Sequence, residues 1–179
     1  MDEDVDTETE LPRWPSKGDR RNLEQRWLRR LELSGERLGS RDFPGRTPRQ
    51  LSRAVEEFNR RLFWECHETL EDIWRDTSYP NRFFYHAIIK AAVGFHHMSL
   101  HNLHGARVKL SDAARLLRLF HPGCMGLRID VLLTDTSEWL ARLEANSPVD
   151  WAALDALPKP TIQEVDSVPE GIGASGRDD

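Results

Sequence analysis

FNRRLFWECHETLEDIW, residues Phe58–Trp74, mixes bulky apolar side chains with one histidine and four acids. Those acids are Glu65, Glu68, Glu71 and Asp72. An ordinary amphipathic helix keeps its ionisable groups on the face turned from the core. Here His67 and Glu71 stand at i, i+4 and are neighbours on one face. With His67 at zero and about 100° per residue, Trp74, Phe63, Leu70, Cys66 and Ile73 cover an arc from about 340° down to about 240°. His67 lies at the rim of that arc, Glu71 about 40° beyond it and Glu68 about 100° beyond it. The segment points a histidine and a carboxylate at the edge of a packed interior. Upstream, Asn59-Arg60-Arg61 marks a tight turn between this helix and the one before it.

Working outward, Thr47-Pro48-Arg49-Gln50 is a helix start, with Thr47 as N-cap, Pro48 at N1 and Gln50 closing a capping box. Leu51, Val55, Phe58 and Leu62 continue its apolar face. Leu23, Trp27 and Leu31 repeat at i, i+4, i+8 and predict a helix over about 20–34, with Gly35 at its C-cap. Pro80 opens a helix whose core stripe is Phe84, Ala87, Ile88, Ala91 and Phe95. Asn102 caps the next, which runs to about Phe120 and ends at His121-Pro122-Gly123. Ile129, Leu132, Leu133, Trp139, Leu140 and Leu143 mark another, and Asp150–Leu157 a short amphipathic piece. No strand alternation is present. The expected class is all-α, a compact antiparallel bundle of five to six helices.

A chain of 179 residues has room for one domain with a sizeable core. The expected organisation is a disordered acidic leader over 1–18, a single helical domain over 19–158 and a flexible tail over 159–179. The first ten residues carry six acids and no base, the reverse of a signal-peptide start. Cys66 and Cys124 form no CxxC pair, and a reducing cytoplasm is the expected location. No apolar run approaches the roughly 18 residues of a membrane span. Residues 20–61 hold twelve arginines against six acids. Those arginines are interleaved with Glu24, Glu32, Glu56 and Glu57 and lack a stacking pattern, which argues against nucleic acid and for solvated helix faces. A homo-oligomer is left open.

Five of the seven histidines fall between 86 and 104. On the helix from Pro80, His86, Lys90, His97 and His101 share a sector about 60° wide, whereas His96 points about 100° away. His97 and His101 form an HxxxH pair, a spacing that lets two imidazoles reach one metal. If this helix faces the one bearing His67 and Glu71, a histidine–carboxylate centre for a divalent ion (Zn2+, Mn2+ or Fe2+) assembles between them. The expected ligands are His67, Glu71, His97 and His101, with Glu68 as general base on a metal-bound water. The bland alternative is a His67–Glu71 pair that only satisfies a half-buried polar edge. Cys66 and His67 point about 100° apart and do not make a nucleophile pair.

Two blocks now carry a resemblance. Phe58-Asn59, Phe63 through Glu68, Leu70-Glu71 and Trp74 form the first. Phe84, Ile88-Ile89, Ala91-Ala92, His96-His97, Asn102 and Gly105-Ala106 form the second. Together, over about residues 50–120, they resemble the helical family called domain of unknown function 309. The resemblance implies an all-α bundle, the label of metal-dependent hydrolase, and a site at Glu65, His67, Glu68, Glu71 and His97. The chain departs from the family pattern at Arg61 and His101, where glycine is usual, and at His86 and Lys90, where glutamine is. The hairpin at 58–74 also resembles a tetratricopeptide unit, which supports a scaffold or partner-binding module instead.

Overall fold

The computed structural model describes residues 20–39, 48–145 and 148–165. Seven helices occur among them: α1 Arg20–Ser34, α2 Arg49–Asn59, α3 Phe63–Asp76, α4 Asn81–Ser99, α5 Leu103–Leu117, α6 Ile129–Ala145 and the short α7 Trp151–Ala156. From α2 to α6 each packs on its chain neighbour, most extensively α4 on α5. A 3-10 turn at Arg118–Phe120 leads into a hairpin of two-residue strands, β1 Gly123–Cys124 and β2 Leu127–Arg128. Among the described residues this hairpin and an isolated bridge between Leu127 and Glu164 depart from helix, and two residues per strand is too short for alternation to register.

The aromatic interior explains the helix order. Phe58 of α2 meets Phe63 of α3 with ring centroids 5.1 Å apart, and Phe95 of α4 lies 6.0 and 5.6 Å from those two. Phe95 also meets Trp139 of α6 at 6.4 Å. One ring thus ties four helices. The approach of α4 to α5 depends on Gly94, where an added Cβ would lie 2.5 Å from Leu110 Cδ2 and 3.2 Å from the Leu110 backbone nitrogen.

Two helix ends follow one rule. After α2, the Leu62 N–H donates to the Glu57 carbonyl and the Arg61 N–H to the Phe58 carbonyl, both at 2.9 Å. After α4, the Asn102 N–H donates to the His97 carbonyl and the His101 N–H to that of Met98, again at 2.9 Å. Both are Schellman closures, which place one residue in the left-handed region, usually glycine. Those residues here are Arg61 with φ 64° and His101 with φ 54°. The two departures from the family's glycines therefore fall where the backbone favours glycine. Gly35, with φ 64°, ends α1 as expected.

Several expectations need correction. Pro48 itself holds the N-cap position of α2 and no side chain caps it; Thr47 lies outside the described residues. Among the described side chains of α1, Leu28 and Leu31 are buried and Trp27 is only half-buried, while the side chain of Leu23 lies outside the described ones. The chain beyond Pro158 is not free from residue 159 onward. Ile162 is buried, Arg128 donates its N–H to the Gln163 carbonyl at 2.8 Å, and Val165 donates to Gly126 at 2.7 Å. Asn59 clamps the same segment through its amide, donating to the Ile162 carbonyl at 3.0 Å and accepting from the Ile162 N–H at 2.7 Å. The leader 1–18 and residues 166–179 lie outside the described residues. None of the helices described is long and apolar enough to cross a membrane.

Candidate functional site

Phe63, Cys66 and Leu70 are the buried face of α3. Burial pushes the Cys66 thiol up, helped by the Glu57 carboxylate, so this cysteine is an inert core group. The other side of α3 carries Trp64, His67, Glu68 and Glu71 at i, i+3, i+4 and i+7, one continuous stripe. The anticipated pair is present: His67 Nε2 lies 3.2 Å from Glu71 Oε1. The His67 side chain is 14% exposed and that of Glu71 41%, so the pair straddles the rim of the interior. His67 Nδ1 is buried and has no hydrogen-bond partner among the described residues.

Trp64 shapes the surface here. Its ring lies 4.7 Å from His67 and 5.2 Å from His96, tilted 43° and 45°. An indole 46% exposed is thus held between an imidazole of α3 and one of α4. The residue of α4 that faces the α3 stripe is therefore His96, not His97. His97 lies over α5: its Nδ1 is 3.2 Å from the Asn102 amide nitrogen, and a Cβ on Gly105 would come 2.7 Å from its Cγ. Asn102 Oδ1 in turn accepts the Gly105 N–H at 2.9 Å. His97 thereby braces the N-cap of α5. Burial, the neighbouring His96 and Lys109 hold its imidazole below the usual histidine range.

The remaining members of the expected sector are dispersed. His101 lies beyond the end of α4 in its left-handed turn, stacked on Trp151 at 4.8 Å and 16°, with Nε2 2.9 Å from Asp155 Oδ2. His86 faces α1, its Nδ1 3.4 Å from Glu24 Oε1. Lys90 pairs with Asp112 of α5 at 3.0 Å. Glu65 and Glu68 are exposed. Among the described residues, no three histidine, cysteine or acidic side chains gather in a way that could hold a metal ion. The donor set around His67 thus does not fit the divalent ion that the resemblance implies.

Sequence reading passed over two supports of this face. Arg82 is buried, with its guanidinium 3.7 Å from the Trp74 ring centroid. It donates to the carbonyls of Trp74, Arg75 and Thr77 at 2.5, 3.3 and 3.3 Å, closing the C-terminal end of α3. Glu57 is buried on α2 and accepts from Arg53 and from Thr69 of α3, both at 2.8 Å. The i, i+4 spacing of Arg53 and Glu57 on α2 is legible in sequence, whereas the Glu57–Thr69 bond and the Arg82 contacts join separate elements and leave no spacing signal.

Residues 51–108 match the family described as Domain of unknown function (DUF309). The match covers both sequence blocks that bear the resemblance up to Gly105-Ala106. No curated protein and no solved structure matches the chain.

Proposed function

We propose that this chain is a non-enzymatic helical binding module whose α3–α4 face receives a cationic group of a partner. The observation that carries the reading is the half-exposed Trp64 ring held between His67 and His96, with Glu68 and Glu71 on the same face of α3. A ring face attracts a guanidinium or ammonium through its quadrupole, and the two carboxylates add like-directed Coulomb attraction. The His67–Glu71 contact then orders the face rather than reacting. This is the scaffold reading of the sequence with the partner's chemistry added.

The test titrates untagged protein with an acetylated tri-arginine peptide and with its tri-glutamate counterpart, following the Trp64 indole N–H by NMR. The arginine peptide is expected to shift that resonance, and Trp64→Ala to weaken binding roughly 3- to 30-fold, the range of a cation–π contact of about 0.5–2 kcal/mol. His67→Ala is expected to lower stability by about 1 kcal/mol and to leave affinity per folded molecule within a factor of about three. Equal binding of both peptides, or an unchanged affinity in Trp64→Ala, would sink the reading. A saturable thermal shift with Zn2+, Mn2+ or Fe2+ that disappears in His67→Ala would instead favour the metal-dependent hydrolase.

A further inference from the structure

A cavity of about 540 Å3 opens where the end of α1 meets the 3-10 turn and α6, away from the α3–α4 face. Its size falls within the range of small-molecule sites, roughly 300–1,000 Å3. Leu31, Leu119 and Leu133 line it from three different elements. The left-handed Gly35 turns the chain at the end of α1, and Glu36 and Arg37 beyond it complete the wall. The rim is cationic. Arg37 Nη1 donates to His121 Nδ1 at 2.5 Å, which leaves the imidazole's other nitrogen to carry the proton and donate. Arg118 also lines the cavity and has no ion pair among the described residues. The remaining guanidinium, Arg115, is already satisfied: it grips Glu32 through two nitrogens, one of them at 3.0 Å. That pairing engages Glu32, which the Arg118 charge also reaches, and Glu36 is the other carboxylate of the lining.

Such a lining suits a ligand of two parts. Two guanidinium groups and an imidazole N–H ask for an anion with several acceptor oxygens. The leucines beneath them ask for an apolar body. We propose that this cavity binds an amphipathic organic anion, its carboxylate or phosphate-ester head on Arg37, Arg118 and His121 and its hydrocarbon portion on Leu31, Leu119 and Leu133. The site is separate from the Trp64 face, so the two proposals stand or fall independently.

The experiment uses the full chain with 13C-labelled leucine methyls and three six-carbon probes: hexanoate, hexyl phosphate and hexan-1-ol. Saturable shifts of Leu31, Leu119 and Leu133 are expected with at least one anion, and affinity for the neutral alcohol is expected to be roughly tenfold weaker, the share of a charge-assisted hydrogen bond. The tighter of the two anions identifies the head group. Arg118 is exposed, so Arg118→Gln should keep the fold while weakening the anion about tenfold. Leu133→Trp, which fills the cavity without altering its charge, should remove binding of all three probes. The proposal is overturned if neither anion binds saturably, if hexan-1-ol binds as tightly as the better anion, or if Arg118→Gln leaves affinity unchanged.

Discussion

Arg61→Gly should stabilise this protein, although it removes a charged surface side chain. Arg61 closes α2 with φ 64°, where a residue bearing a Cβ is disfavoured by about 1–2 kcal/mol. Glycine removes that cost but returns about 0.4–1 kcal/mol through the greater freedom of the unfolded chain. The net gain is about 0.5–1 kcal/mol, or a rise in Tm of about 1–4 °C for a domain of this size. The Arg61 charge also helps hold Lys159 below its ordinary value, after burial and against Asp155, so its removal adds no penalty. His101→Gly supplies the control, because the backbone gain at φ 54° is the same while two contacts are lost. The His101–Asp155 pair is about half exposed and contributes at most about 1 kcal/mol. Stacking on Trp151 contributes about 0.5–1.5 kcal/mol. His101→Gly should therefore be neutral or destabilising. Urea unfolding of both variants, read by far-UV circular dichroism at one pH, gives the two midpoints. A midpoint for Arg61→Gly at or below wild type, or a larger gain for His101→Gly, would refute the reasoning.

Other perturbations follow from the same packing. Asn59→Ala cuts both bonds to Ile162 and should cost about 2–4 kcal/mol; hydrogen exchange of the Ile162 amide should accelerate with it, and a protected amide in the variant would contradict the clamp. Gly94→Ala drives a Cβ against Leu110, whose backbone nitrogen cannot yield at 3.2 Å, so a loss of about 1–3 kcal/mol is expected, measured as a lowered unfolding midpoint. Acid should loosen α1. Burial alone would raise the Glu24 carboxyl, but hydrogen bonds with His86 and Tyr79 and the Arg82 charge outweigh it, and the group stays below its ordinary 4.5. The hydrogen bond from Arg115 lowers Glu32 in the same direction. A depressed folded value means the stabilisation is present above about 4.5 and is lost as pH falls through the folded values. Glu24→Gln should flatten the fall in the urea midpoint below that pH; an identical fall in wild type and variant would contradict it.

Much of the fold is legible in local pattern because helix starts and stops are local physics. The apolar periods placed every long helix, Gly35 and Asn102 marked an end and a start, and Asn59-Arg60-Arg61 marked a turn. The departures at Arg61 and His101 were visible as unusual residues, but only the backbone showed that both sit in left-handed closures. The hairpin at Gly123–Arg128 left no trace because two residues per strand are too few for alternation, and the docking of Ile162 left none because its partner Asn59 is distant in sequence.

The site divides along the same line. Sequence by itself determined that His67 and Glu71 are neighbours on one face, 3.2 Å apart in the structure, because i, i+4 spacing on one helix needs no partner element. It also determined the family blocks and the all-α class. Only the tertiary structure decided which histidine of α4 joins them. That helix is packed on both sides, by α3 and by α5, and a periodicity shows that two faces are buried without saying which neighbour each face meets. His96 therefore turns to Trp64, His97 to the cap of α5, and His101 leaves the helix altogether because α4 stops at Ser99. A three-ligand centre needs donors from separate helices within a few ångströms, and the rotation of α4 about its own axis sets that distance.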